Sequence, residues 1–346
     1  MTEAPEKGRW RTSLAGGGAW LPLLVFLGGC GGGGGAAGPS NPSTPVTPAT
    51  PAPTPTPAGP IPAGTVIAVV SGETDQPVAG ASVGIGGQTQ RTDGSGQLAL
   101  GSAQDPRAPV EIRANGFLDR DTLLRSPGAT RFTLWPRTSA TGLSESYTSV
   151  LVYTNAGLTG GTPGTDPMQR LRPDLPPYLV PSQPILDDPA AVAAHQQAIN
   201  AIAAATQGQV VYTLAAQRPT IAAAITTRVA DSRDANCSSN TLGYASYVAR
   251  DDEIAGAGIV FCRLDVARSM AVVTHEVGHT FGLQHSPDPQ ELMHGTLRAN
   301  QNTAFSAREA LTMRLMLQRR GGNRFPDDDR SLTVATERTV TIVCRY

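Results

Sequence analysis

The clearest pattern in the chain is an apolar stripe with helical spacing in its last third. At about 100° per residue, apolar positions three and four residues apart lie on one side of a helix. The stripe consists of Val266, Met270, Val273, Val277 and Phe281. It predicts a helix with an N-cap at Asp265 and a stop at Gly282. The apolar run 257–262 predicts a strand that enters this helix.

Residues with metal-binding chemistry occupy the other side of the predicted helix. His275 and His279 are four residues apart and share a face, so both can bind one metal ion. Glu276 follows the first histidine and can reach a metal-bound water. Gly282 tolerates the left-handed backbone that ends a helix, so the chain can turn back and bring His285 to the same metal. Three histidines leave the fourth position for water, as in a catalytic zinc site.

The complete pattern, H-E-x-x-H-x-x-G-x-x-H, is far more specific than its first half. A bare H-E-x-x-H arises readily by chance and can be an ordinary polar helix face. The glycine and the third histidine at fixed offsets make chance a poor explanation. Three of the five histidines of the chain lie in this one pattern.

A turn-rich loop with a methionine near its end follows His285. Ser286 comes directly after the third histidine, and Met293 lies late in the loop. Together with the histidine pattern this resembles the metzincin signature, most closely its matrixin branch. The resemblance implies a zinc endopeptidase in which Met293 forms a hydrophobic floor beneath the zinc. A lone methionine would instead indicate a core residue. The run 295–297 lacks the aromatic residue common in matrixins, so no substrate preference carries over.

The region 137–346 fits the α+β metzincin (zincin-like) catalytic domain that this resemblance implies. Strands and a helix precede the zinc helix in the expected order, and a helix with a capping box follows the methionine. The predicted strands are 149–154, 209–214 and 225–229, and the predicted helices are 189–206 and 306–320. No cysteine stands just ahead of this region to match the inhibitory cysteine of the family's propeptide.

Short β-type runs separated by turn residues fill the region 64–136. They are 65–70, 81–85, 97–100, 110–113 and 130–134. With the turns between them they resemble the carboxypeptidase regulatory-like domain, a transthyretin-like sandwich, although another small sandwich would give a similar pattern. We expect an all-β sandwich with a spacer or adhesive role, because no catalytic group of residues occurs in it.

The N-terminus predicts export. Basic residues precede the apolar run 19–27, which is too short to span a bilayer and is typical of a signal peptide. The run ends in Leu27-Gly28-Gly29-Cys30, which resembles a bacterial lipobox and implies lipidation of Cys30 at the end of segment 1–30. The alternative is an ordinary cleaved signal peptide and a secreted protein. Residues 31–63, rich in glycine and then in proline and threonine, predict a tether.

Cysteine usage agrees with an extracytoplasmic protein. Cys237 and Cys262 flank the segment before the zinc helix and form the favoured disulfide. Cys344 is then unpaired, although its pairing with either of the other two stays open.

The remaining charged residues exclude some functions. The net charge is −1 and no basic cluster occurs, so nucleic acid is not an expected partner. The acidic runs 251–253 and 327–329 could hold a structural calcium, but neither has a defined ligand spacing. We expect His294 to lie at the surface and His195 to be solvated or to cap a helix.

The sequence as a whole predicts a monomeric zinc endopeptidase that acts on proteins or peptides and is lipid-anchored in a bacterial cell envelope, outside the cytoplasm. The alternative is a non-catalytic adhesion or binding protein with a vestigial zinc site. The presence of Glu276 argues against that alternative, because a site without catalysis needs no general base.

Overall fold

A computed structural model describes residues 59–125, 131–154, 163–220, 223–297, 302–330 and 337–345. The predicted signal peptide, Cys30 and nearly all of the tether lie outside these residues. Within the described part of the chain, no helix has the length and apolar character needed to cross a membrane.

Two small sheets form the N-terminal part of the fold. Their strands are β1 Val66–Ser71, β2 Ser82–Ile85, β3 Gln88–Arg91, β4 Gln97–Ala99, β5 Pro109–Arg113, β6 Arg120–Leu123 and β7 Arg131–Leu134. One sheet has the order β4-β1-β7 and the other β3-β2-β5-β6, and both contribute to one hydrophobic cluster. Alternation drives this arrangement, since Val110 and Ile112 of β5 are buried while Glu111 between them is exposed. The likeness to a transthyretin-like sandwich stays a prediction.

A mixed sheet forms the centre of the C-terminal part. Its strands are β8 Arg170–Leu171, β9 Pro177–Pro181, β10 Thr213–Leu214, β11 Ala223–Val229, β12 Thr241–Arg250, β13 Glu253–Phe261 and β14 Glu337–Arg345. The order is β10-β9-β11-β13-β12-β14, and β8 pairs with β13. β9, β10, β11 and β13 run parallel, whereas β12 is antiparallel to β13 and β14 is antiparallel to β12.

In the part of the chain that the structure describes, six helices accompany this sheet. They are α1 Glu145–Tyr153, α2 Gln183–Leu186, α3 Pro189–Ala205, α4 Leu264–Ala267, α5 Met270–Phe281 and α6 Ala307–Leu317. The apolar sides of α3 and α5 meet in the largest hydrophobic cluster, together with residues of β11 and β13. The capping box predicted for α6 is present, with Ser306 and Glu309 bonded reciprocally.

The prediction of a strand at 149–154 is wrong, because this stretch lies largely in helix α1. Its valine, tyrosine and threonine content is typical of strands. However, Ser144 caps the helix by accepting a hydrogen bond from the backbone N–H of Tyr147. Tyr147 and Leu151, one turn apart, are both buried against the core, so tertiary packing outweighs the local preference.

The start of α5, the helix that carries His275 and His279, also differs from the prediction. Asp265 belongs to the short helix α4 and pairs with Arg263. The N-cap of α5 is Ser269, whose hydroxyl accepts from the N–H of Val272. The predicted stop is confirmed, since Gly282 ends the helix with φ of 116°.

A buried arginine joins the N-terminal sheets to the C-terminal part of the fold. Arg319, just after α6, donates hydrogen bonds of 2.7 Å to both side-chain oxygens of Asp327. It also donates to the carbonyl and hydroxyl oxygens of Thr133 on β7, at 2.8 and 2.6 Å. Its guanidinium carbon lies 4.8 Å from the ring centroid of Trp135. The two parts of the fold therefore share a charged, fully buried contact.

The carboxylates of the acidic run 327–329 form ion pairs with arginines. Besides Asp327, Asp328 pairs with Arg330 at 3.0 Å and Asp329 pairs with Arg125 at 3.5 Å. Since these carboxylates already neutralise cations of the chain, the run is poorly suited to the calcium that the sequence allowed.

Candidate metal centre

Helix α5 holds the first two histidines of the site in a fixed orientation. His275 and His279 are completely buried, and their Nε2 atoms lie 3.0 Å apart. The Nδ1 of His275 lies 2.6 Å from the carbonyl oxygen of Leu292, and that of His279 lies 2.8 Å from the carbonyl oxygen of Leu283. Carbonyls only accept, so each Nδ1 carries the proton and each Nε2 presents a lone pair. Backbone carbonyls of this kind orient metal-binding histidines.

The turn at Gly282 delivers the third histidine. A Cβ at this position would lie 2.1 Å from the carbonyl oxygen of Gln169, so the chain passes too close for any side chain. The ring centroid of His285 then lies 5.5 Å from that of His275 and 4.9 Å from that of His279. Gly295 lies against this ring, because a Cβ at Gly295 would be 2.7 Å from the Nδ1 of His285.

A fourth metal-binding group, the thiol of Cys344, comes from strand β14. Its sulfur lies 2.9 Å from the Nε2 of His275, 3.5 Å from that of His279 and 3.6 Å from that of His285. The four ligand atoms all lie within 4.8 Å of one another and could hold a metal ion. The expectation that the fourth position is left for water therefore stays a prediction, because Cys344 offers a fourth ligand at this point.

The separations suit zinc. A tetrahedron with zinc–nitrogen bonds of about 2.0–2.1 Å and a zinc–sulfur bond of about 2.3 Å has edges of about 3.3 Å between nitrogens and about 3.6 Å from nitrogen to sulfur. The nitrogen–nitrogen distance between His275 and His279 is 3.0 Å, the nitrogen–sulfur distances are 2.9, 3.5 and 3.6 Å, and all four ligand atoms lie within 4.8 Å of one another, so a bound zinc would need only small side-chain shifts. Soft thiolate and imidazole ligands in this arrangement are typical of zinc.

The protonation of the histidines also fits a cation. Burial lowers the pKa of His275 to about 4 and that of His285 to about 3, and it lowers the pKa of His279 well below its ordinary value. The imidazoles are therefore neutral near pH 7. Two lone pairs that face each other at 3.0 Å repel unless a cation lies between them, so the donor set fits a bound metal ion.

Glu276 places a buried carboxyl group next to this metal group. It is completely buried, and neither side-chain oxygen has a hydrogen-bond partner among the described residues. Burial raises its pKa to about 8, while the interaction with the nearby thiol of Cys344 acts in the opposite direction. The carboxylate lies against Gly243 of β12, where a Cβ would approach its Oε1 to 3.2 Å. A buried carboxyl group that nothing satisfies is costly, which favours a chemical role.

Met293 packs against the helix that carries the first two histidines. It is completely buried, and its sulfur occupies the space over Gly278 of α5, where a Cβ would meet it at 2.6 Å. Its backbone carbonyl accepts from the N–H of Ser286, and its own N–H donates to Glu309 at 2.8 Å. The structure thus places Met293 beneath the turn of α5 that lies between His275 and His279.

A buried carboxylate that the sequence did not single out holds this loop in place. Glu291 accepts from the hydroxyl of Tyr147 at 2.5 Å and from Ser306 and Arg308 at 2.6 Å each, and it also bonds the hydroxyl of Ser286. It therefore connects the loop to α1 and α6. An acidic residue just before a buried Leu-Met pair is the only local signal of this role.

The other two histidines do not contribute to the metal centre. His294 is partly exposed, and its Nδ1 lies 3.0 Å from the carbonyl oxygen of Thr296. His195 is completely buried, with its ring between the carbonyl of Ala191 and the hydroxyl of Thr227. The expectation that His195 is solvated or caps a helix is wrong, because α3 turns this face towards the sheet.

A disulfide joins Cys237 and Cys262, the two cysteines that the sequence favoured, and it ties the segment before β12 to the end of β13. Cys344 is free and buried. Both results leave the thiol of Cys344 available to the metal group.

The comparison with known families agrees with the geometry. The sequence model of the matrixin family, peptidase M10, matches residues 183–310. The match includes α3, the strands β10 to β13, the histidine helix and the loop with Met293. This part of the chain therefore resembles the matrixins, a class of zinc metalloproteases. No curated protein matches the chain.

Proposed function

We propose that the chain is a zinc-dependent endopeptidase, with Glu276 as its general base. The observation that carries this proposal is the buried side chain of Glu276, whose oxygens lack a hydrogen bond among the described residues, beside three histidines whose metal-binding atoms converge. A group of this composition is suited to hydrolysis of peptide bonds assisted by a metal ion.

Each residue has a distinct role in this proposal. His275, His279 and His285 hold the metal through Nε2, and the carbonyls of Leu292 and Leu283 keep the first two rings in the required tautomer. When bound, zinc lowers the pKa of a water molecule towards about 7 and polarises the substrate carbonyl. The positive charge of a bound metal would favour the ionised form of Glu276. A side-chain oxygen of Glu276 would then accept the proton of the attacking water and return it to the leaving amine.

One observation favours a second candidate, a non-catalytic binding protein with a closed zinc site. Structural zinc sites are filled by four protein ligands, and Cys344 completes such a set with the three histidines. A purely structural site, however, gives no reason to bury Glu276 without a partner at a cost of about 1–3 kcal/mol or more. Removal of a carboxylate with no other role should then stabilise the fold without changing any activity.

The test separates metal binding from catalysis. Glu276→Gln should keep about one zinc per chain and lose cleavage of casein and of quenched peptides, because Glu276 is not a ligand. His279→Ala should lose both zinc and cleavage. Glu111→Gln, which makes the same chemical change on an exposed strand position, should alter neither. Cleavage by Glu276→Gln at a rate close to that of the wild type would exclude it as the base.

We also propose that the protein is anchored in a bacterial cell envelope through a lipid on Cys30, with the tether 31–63 holding the enzyme away from the membrane. The basis is the lipobox-like run Leu27-Gly28-Gly29-Cys30 after a signal-type apolar segment. Cys30→Ser should abolish labelling with a palmitate analogue and release the protein into the soluble fraction. Unchanged labelling in this variant would rule out the anchor and leave a secreted enzyme.

A further inference from the structure

Strand β14 covers an edge of the sheet that would otherwise be open beside the metal group. It pairs with β12 in antiparallel register from Arg250, opposite Glu337, to Thr241, opposite Arg345. The other side of β12 is taken by β13. Without β14, β12 would be an edge strand next to α5. Edge strands of this kind bind extended peptides through backbone hydrogen bonds.

The register of this pairing brings the thiol to the metal. Cys344 lies opposite Gly243, next to an irregularity in the ladder between Thr241 and Gly243. Gly243 also touches Glu276, and a Cβ there would be 2.8 Å from the carbonyl oxygen of Val260. The strand, the general base and the metal group therefore meet at one point, and the thiol of Cys344 occupies it.

Packing along β14 fixes the thiol at this position. Val340, Ile342 and Cys344 alternate along one face and are all buried. The first two form a hydrophobic cluster with residues of β12 and β13 that include Tyr247 and Ile254. The thiol is therefore held in place by a strand whose side chains are packed against the sheet.

We propose that β14 is an autoinhibitory segment: Cys344 is the fourth ligand of the metal, and the strand fills the edge of β12 where a peptide substrate would bind. The inhibitory part of this inference rests on the proposed peptidase function. Binding of the metal displaces the thiol proton to solvent, and the resulting thiolate closes the coordination position that a catalytic zinc keeps open. Glu276 then has no water to act on.

This arrangement makes activation a matter of removing or displacing the C-terminal strand. A protein that is mostly closed populates its open form at roughly 0.1–10%, and its activity is reduced to that fraction of the activity of the open form. Loss of the strand should therefore raise kcat/KM by about 10- to 1000-fold. Loss of the thiol alone should raise it less, because the strand still covers β12.

The first experiment detects the metal–sulfur bond independently of activity. X-ray absorption of the zinc-loaded full chain should show one sulfur at about 2.3 Å besides nitrogens at about 2.0–2.1 Å. Cys344→Ala should lose the sulfur and keep the zinc. Val343→Ala, the same kind of truncation one residue earlier and outside the buried face, should keep both. A wild-type spectrum without sulfur would overturn the ligand assignment, whatever the enzyme does.

The second experiment measures inhibition. Cleavage of quenched peptides is compared for the zinc-loaded wild type, Cys344→Ala, Val343→Ala and a chain that ends at residue 330. We expect the rates to rise from the wild type to Cys344→Ala to the shortened chain, with Val343→Ala equal to the wild type. Adding Glu276→Gln to the shortened chain should remove the gained activity.

The full-chain variant keeps the test decisive if the shortened chain does not fold, since Cys344→Ala retains the whole β12–β14 ladder. Equal rates for the wild type and Cys344→Ala would overturn inhibition by the thiol. If every zinc-loaded form cleaves nothing, the peptidase proposal fails and inhibition fails with it, while the sulfur ligand stands or falls on the absorption spectrum alone.

Discussion

Replacement of Arg319 by methionine should destabilise the whole described fold, because it breaks a charge pair with no access to water. Both side chains of the Arg319–Asp327 pair are fully buried and joined by two hydrogen bonds of 2.7 Å. Methionine has a similar length but no charge, so Asp327 would keep Asn323, at 3.0 Å, but lose its counterion. The carbonyl and hydroxyl oxygens of Thr133 would each lose one of two donors, because Arg120 still donates to them at 2.6 and 3.3 Å.

The size of the effect follows from the burial. Removing one partner of a buried ion pair costs about 3–5 kcal/mol, a large fraction of the 5–15 kcal/mol that is typical for the stability of a native protein. At about 2–4 °C per kcal/mol, the melting temperature should fall by about 6–20 °C. The double variant Arg319→Met/Asp327→Leu should recover much of this loss, because no charge is then buried alone.

A matched exposed pair serves as the control. Arg172 binds Asp174 through two hydrogen bonds of 2.7 and 2.9 Å, but both side chains are exposed. Arg172→Met should therefore change stability by less than about 1 kcal/mol. Thermal and urea unfolding followed by circular dichroism measures all three variants. If Arg319→Met melts like Arg172→Met, or if the N-terminal sheets unfold separately and unaffected, the contact does not join the two parts in the way described.

Three further predictions concern the turn, a buried acid and the metal. Gly282→Ala should lose about 3 kcal/mol or more in urea unfolding because its Cβ would strike the backbone of Gln169, whereas Gly208→Ala, also at positive φ but in open space, should lose only about 1 kcal/mol. Burial raises the pKa of Glu309 to about 7. The contribution of protonated Glu309 to the free energy of unfolding is therefore fully present below the unfolded pKa of about 4.3 and is lost as pH rises through 7. Stability measured from about pH 5 to 8 should thus fall more steeply in the wild type than in Glu309→Gln, and parallel slopes would contradict the buried assignment. Zinc at a hundred times its Kd should stabilise the metal-free protein by about 2.7 kcal/mol in thermal melts, and His279→Ala should show no such shift.

The sequence predicts the parts of the site that depend on local spacing. His275, Glu276 and His279 follow from the helical period, and Gly282 follows from the need for a left-handed residue before His285. These relations span eleven residues, so backbone geometry alone places them. The same holds for the capping box of α6, which is a local motif.

Features built by distant pairing could not be read in this way. The sulfur of Cys344 meets His275 across 69 positions of the sequence, and only the register of β14 on β12 brings them together. Arg319 meets Thr133 across 186 positions. A cysteine in a strand and an arginine after a helix carry no local sign of such contacts.

Local preference also misled at one element. The stretch 149–154 is rich in β-branched and aromatic residues, yet most of it is helical because Ser144 caps α1 and the core buries Tyr147 and Leu151 one turn apart. Strand preference is weak when tertiary packing favours another periodicity.

Zinc titration of the metal-free Cys344→Ala protein, followed by peptide cleavage, tests the central claim most directly. The cleavage rate should rise with added zinc and reach a plateau at about one zinc per chain. The same titration of Cys344→Ala/Glu276→Gln should bind the same amount of zinc but give a plateau about 10²- to 10⁴-fold lower, the usual contribution of a general base. Cleavage that does not depend on zinc, or an equal plateau without Glu276, would contradict the account.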